Sequence, residues 1–233
     1  MSTLHLKFYS CLRLQSPDVE INPGPRRPVA ASCRILCSNV QDLSGNLGDL
    51  AVASSQYDIL LCSETLVSDL CHVSELLVPG FGRPALLCPG KLPRACVMAA
   101  YVRDGYGAFC QPKFEYGCCE MLVLRVCFKT ELLCVDDCIY HCLLTSMAAL
   151  QAEDVHASFL FVGDLNGYHQ EWLGSAMTNS HGVAAFDFMT VSVCGQLVVG
   201  PTYARGGILD LMIDVADFIR VAVVAPIGNS DHS

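Results

Sequence analysis

Apolar residues in this chain come in short blocks that stop abruptly on an acid or an amide. "FLFVGDLN" runs apolar from Phe159 and then meets Asp164 and Asn166, and "CRILCSN" (Cys33–Asn39) and "DILLCSE" (Asp58–Glu64) end in the same way. Apolar blocks of this length, bounded by turn formers, read as buried strands, the first of them over Ser158 to Gly163. Between them lie stretches with a helical period: Asp42 to Gln56, Cys138 to Glu153, and Gly182 to Cys194, the last ended by Gly195 in the usual glycine stop position. The centre is punctuated differently. There "PGFGRP", "CPGKLP" and "RDGYG" separate "ACVMAAYV" from "EMLVLRVCF", which read as two strands of a meander or hairpin, and "ILDLMIDV" and "VAVVAPIG" are strand-like. Strands and helices alternate at both ends with hairpins between, so the pattern predicts an α/β architecture, sheets in the middle and helices outside.

At 233 residues the chain fits one domain with a sizeable core. Hydrophobic residues make up 52%, yet no run approaches the roughly 18 uninterrupted apolar residues of a membrane span, so no membrane partner is expected. The formal net charge is -9, and from Glu153 onward nine acids face only Arg205 and Arg220. A polyanionic partner would then need divalent metal to offset the acids locally. The 15 cysteines lie mostly in apolar segments and are expected to be reduced and buried. In "CVDDCIYHC", Cys134, Cys138 and Cys142 share a helical spacing beside His141; that spacing lacks the CxxC turn of structural zinc sites, and core-facing cysteine fits it better.

Four strand ends carry residues suited to metal or phosphate: Asn39, Glu64, Asp164 with Asn166, and Asp231 with His232. Each alone is what a turn would hold, because Asp and Asn favour local hydrogen bonds; their recurrence points to a shared site. Hard oxygen donors on Glu64, Asp231 and Asn39 suit Mg²⁺, or Mn²⁺ in its place. Asp164 is placed to act as general base, His232 supplies charge or a proton, and Asp210 is the nearest acid to orient that histidine. The set describes metal-assisted phosphodiester hydrolysis.

"SNVQ", "SET", "GDLN", "PTYARGGILDL" and "NSDH", in that order, resemble the endonuclease/exonuclease/phosphatase superfamily, and in particular the apurinic-like endonuclease domain of non-LTR retrotransposons. The resemblance implies a four-layer α/β/β/α sandwich of two packed mixed sheets with outer helices, over residues 33–233. It implies Asn39 and Glu64 in the metal pocket, Asp164 activating water, Asn166 holding the scissile phosphate, and Asp231 as a metal-side or histidine-supporting acid. His232 would face the phosphate, with Asp210 behind it. DNA is the implied substrate, nicked in the nucleus by an intracellular monomer, and the freed 3′ hydroxyl would prime a downstream reverse transcriptase.

Ahead of this domain, "DVEINPGP" (Asp18–Pro25) resembles 2A-type ribosome-skipping peptides. The Pro and Gly density from Pro17 to Pro28 argues against a packed element there, so residues 1–24 are expected to be a disordered or partly helical leader and 25–32 a linker. Some positions depart from the pattern. "KTELLCVDD" stands where relatives carry a tyrosine segment, with Tyr140 inside the following helix. "LDLMIDVAD" is one residue shorter than expected, and Tyr203 replaces a common histidine. The chain stops at Ser233, so the C-terminal strand is expected to be missing. Two other readings therefore stay open: a catalytically inactive retrotransposon remnant or interaction module, and a phosphoesterase of the same fold acting on a lipid headgroup.

Overall fold

In the computed structural model the described residues are 7–12, 33–68, 71–87, 96–106, 108–110, 120–126, 130–136, 140–155, 158–202, 208, 210–214 and 219–224. Their strands are β1 (Lys7–Leu12), β2 (Cys33–Asn39), β3 (Ile59–Val67), β4 (Ala85–Leu87), β5 (Cys96–Val102), β6 (Ala108–Cys110), β7 (Glu120–Val126), β8 (Thr130–Asp136), β9 (Ser158–Asp164), β10 (Gly195–Gln196), β11 (Asp210–Asp214) and β12 (Ile219–Val224). The helices are α1 (Leu43–Ser54), α2 (Tyr140–Glu153), α3 (Gln170–Leu173) and α4 (Ser180–Ser192). Two six-stranded sheets result, in the orders β12-β1-β2-β3-β5-β4 and β10-β11-β9-β8-β7-β6. Both are mixed, with β2 parallel to β3 and β8 parallel to β9 while the other pairs run antiparallel.

Alternation along the strands builds the layers. Side chains of a strand point to opposite faces in turn. Ile35, Cys37, Ile59 and Leu61 of the first sheet pack with Leu122, Leu124, Leu160, Val162 and Met212 of the second, which is the core between the sheets. The intervening residues Leu36, Leu60, Cys62 and Tyr101 meet Leu43 and Leu50 of α1 on the first sheet's outer face. On the second sheet Phe159, Phe161, Leu211 and Ile213 are covered by Leu143 and Leu150 of α2 and by Ala185 and Phe188 of α4. The three clusters amount to the expected α/β/β/α order. The Phe161 and Phe188 rings meet edge to face at 5.2 Å. Among the described residues no helix is long and apolar enough to cross a membrane.

Several expectations give way to tertiary pairing. Lys7–Leu12, assigned to the leader, is strand β1 and lies between β2 and β12, with Tyr9 opposite Leu36 on one side and Ala222 on the other. "KFYSCL" holds no Gly or Pro and is rich in strand formers, so the breakers that follow it do not bear on it. The 2A-like stretch itself lies outside the described residues. "ACVMAAYV" and "EMLVLRVCF" do not pair: β5 belongs to the first sheet and β7 to the second, because the chain between them changes layer. Cys134 is in strand β8, opposite Leu122, so it shares no helical face with Cys142; Cys138 lies outside the described residues. Helix α4 stops at Val193, which takes the left-handed conformation (φ 54°), and Cys194 N–H closes the turn onto Met189 O at 3.0 Å. Gly195 instead opens β10. Cys37 and Cys62 are buried and in no disulfide, as expected, and Cys71 and Cys194, partly exposed, are in none either.

Candidate active site

The strand ends form two polar rims. At the first, β2 and β3 run side by side in parallel, with Asn39 in register with Ser63. Asn39 follows Ile35 and Cys37 in the alternation and so shares their position on the face between the sheets. The Val40 N–H donates to Ser63 O at 3.0 Å, which ties the two strand ends together. Beyond Ser63 the pairing with β5 slips, and both Glu64 (φ 47°) and Leu66 (φ 48°) are left-handed. That backbone costs a residue with a Cβ roughly 1–2 kcal/mol. It turns the half-buried Glu64 out of the regular pleat.

Asn39 itself is 3% exposed. Its Oδ1 accepts the Gln41 N–H at 3.3 Å, while Nδ2 is buried without a hydrogen-bond partner. Reversing the amide would set two donors against each other, so the orphan is a donor. Such a group asks for an oxygen acceptor, which a phosphate or an ordered water supplies. The amide oxygen keeps a second lone pair beyond the Gln41 bond.

At the second rim Asp164 ends β9, 3% exposed. It follows Leu160 and Val162 on the face between the sheets. Its Oδ1 accepts the Asn166 N–H at 2.9 Å, and Asn166 is left-handed (φ 46°) and exposed. Across the antiparallel pair Asp164 stands directly opposite Asp210, which begins β11 in the same alternation as Met212. The following loop is built on side-chain caps. His169 caps α3, its Nδ1 accepting Glu171 N–H at 3.3 Å, and its ring stacks on Phe186 at 5.1 Å.

The structure thus joins Asn39 to the Ser63–Glu64 strand end, and Asp164 to Asn166 and Asp210. Asp231 and His232 lie outside the described residues, as does Tyr203. Among the described residues no three His, Cys, Asp or Glu side chains converge on a point that could hold a metal ion. The donor chemistry nonetheless fits a hard divalent cation and a phosphate: carboxylates of Glu64 and Asp164, an amide oxygen with a lone pair, and an unpaired buried amide N–H. Sequence reasoning missed Asn179, which caps α4 and bonds the Asn166 loop. "TNS" just before the helix is a capping signal that could have found it.

No protein-family model matches the chain, and no curated protein matches it in sequence. Solved structures do resemble it. The endonuclease domain of TRAS1, a telomere-specific non-LTR retrotransposon, is similar over 79% of this chain and 86% of that chain, at 16% identity and a TM-score of 0.61. The AP endonuclease LMAP from Leishmania major is similar over 85% of this chain and 84% of that chain, at 15% identity and a TM-score of 0.58. At such identities the likeness is one of fold, and it is the fold the residues of the sandwich build.

Proposed function

We propose that this chain hydrolyses phosphodiester bonds with the help of Mg²⁺ and nicks DNA. The observation that carries the reading is the chemistry of the two rims. Each ends a strand whose preceding alternate residues pack the core between the sheets, and β2 and β9 touch across the layers. One rim has two acids at paired strand positions and the other a buried donor with no acceptor.

In this reading Glu64, Asp231 and the Asn39 oxygen hold Mg²⁺, which when bound offsets the negative charge of the phosphodiester. The Asn39 Nδ2 donates to a phosphate or water oxygen. Asp164, oriented by the Asn166 N–H on its Oδ1, takes a proton from the attacking water, and Asn166 holds the scissile phosphate. Asp210 orients His232 toward the phosphate. The net charge of -9 opposes DNA on its own, so binding leans on the cation and is weak without it. Both fold neighbours are endonucleases by name, one of them from a retrotransposon. A nick leaving a 3′ hydroxyl would suit a reverse transcriptase working beside this domain in the nucleus.

Supercoiled plasmid incubated with the protein and Mg²⁺ tests the proposal. Open circles are expected from the wild type and not from Asp164→Ala or from samples with chelator. Equal conversion in all samples, or none in any, would end it.

A further inference from the structure

One side chain ties the loop after β9 to the start of α4. Asn179 Oδ1 accepts the Gly182 N–H at 2.7 Å and the Tyr168 N–H at 2.9 Å, and its Nδ2 donates to Asn166 O at 2.8 Å. Its own backbone N–H donates to Tyr168 O at 3.0 Å. Starting the helix needs only the bond to Gly182. The contacts to Asn166 and Tyr168 serve the loop instead. They reach back thirteen residues to the carbonyl of the left-handed residue whose N–H orients Asp164. Gly182 allows this approach, since a Cβ there would lie 1.9 Å from Tyr168 O.

We infer that Asn179 is a positioning residue for the reaction: through the Asn166 carbonyl it holds the left-handed turn that aims the Asn166 side chain and the Asp164 carboxylate. The inference rests on the proposed phosphodiesterase reading of that rim. Without the amide, the Asn166 carbonyl and the Tyr168 N–H turn to water and the turn relaxes toward commoner backbone. The loss falls on the rate more than on substrate binding.

A double-mutant cycle in the plasmid-nicking assay with Mg²⁺ reads this. Asn179→Ala should lower kcat about 10–100-fold, as removal of groups that orient site residues commonly does, with KM little changed. In an Asn166→Ala background the same change should cost clearly less than in the wild type, because the share of the loss that runs through the Asn166 side chain is already gone while the share that reaches Asp164 through the backbone remains. Asn179→Asp keeps a side chain suited to capping but loses the donor to Asn166 O; it should restore the melting temperature and leave kcat low. Fully additive losses, or full recovery of kcat in Asn179→Asp, would reduce Asn179 to a helix cap and overturn the inference. If the wild type does not nick, the parent reading falls, and amide exchange still decides this one. The Tyr168 N–H should exchange at least about tenfold faster in Asn179→Ala, since it loses its acceptor to open water, and an unchanged rate would refute the coupling.

Discussion

The two rims differ in how much of their own hydrogen bonding they complete. At the end of β9 a run of hydrogen bonds ties the turn together: Asp164 holds Asn166, Asn166 is held by Asn179, and Asn179 holds Tyr168 and Gly182. At the ends of β2 and β3 the Asn39 Nδ2 is buried and unpaired, and three residues with side chains, Gln41, Glu64 and Leu66, sit in left-handed backbone. A buried donor without an acceptor costs about 1–3 kcal/mol. Strain of this kind persists where a bound group repays it. The β9 rim is accordingly organised before any ligand arrives, whereas the β2–β3 rim is the half that a ligand would complete.

Reaction rate should break the comparison hardest. Asp164→Ala is expected to lower nicking about 10²–10⁴-fold, the usual loss of a general base, while Mg²⁺ still raises the melting temperature. Glu64→Gln should lose both the activity and the Mg²⁺ response; the reverse pattern would exchange the roles of the rims. Next comes the ligand itself. Mg²⁺ at about one hundred times its Kd should add about 2.7 kcal/mol to stability. It should slow amide exchange at Gln41 more than at Tyr168, and greater protection at Tyr168 would refute the division. Smaller again is the contrast between two amides, read by urea unfolding of the metal-free protein. Asn179→Ala should cost about 1–2 kcal/mol as a lost cap, and Asn39→Leu less, because the loss of the long bond from Gln41 N–H is offset by removal of a donor that had no partner.

The smallest effect is a control away from both rims. Tyr101 is buried beneath the first sheet's outer layer and donates to Leu76 O at 2.9 Å, and burial pushes its phenol pKa well above the ordinary value. The folded protein therefore keeps the proton when the unfolded chain releases it near pH 10. Stability should be flat with respect to this group below about pH 10 and decline above it, and Tyr101→Phe should flatten that decline. Mg²⁺ should not alter the slope, since Tyr101 packs on the face opposite Asn39.

Much of this was legible in the residues. The predicted limits of β2 are the observed ones, and Asn39 and Asp164 stand out in the sequence because an apolar strand ends at each and that ending recurs at four places in the chain. Pairing between distant segments was not legible in the same way. Nothing local tells that "ACVMAAYV" and "EMLVLRVCF" enter different sheets, or that "KFYSCL" inserts between segments far from it in the chain. Gly195 is the natural stop for α4 by sequence because glycine adopts left-handed backbone most readily, yet Val193 takes it there and the turn is closed by the Cys194 N–H. Asn179 hid for a related reason: a capping residue announces its helix, and the loop it also grips lies thirteen positions away.

Strand β1 has a bearing on how the protein can be handled. Because it runs between β2 and β12, a shortened chain begun at Cys33 would bare the flanks of both strands at once. Unpaired sheet borders recruit one another between molecules. Such a shortened chain should precipitate or form filaments, and adding back the Lys7–Leu12 segment as a free peptide should keep it in solution.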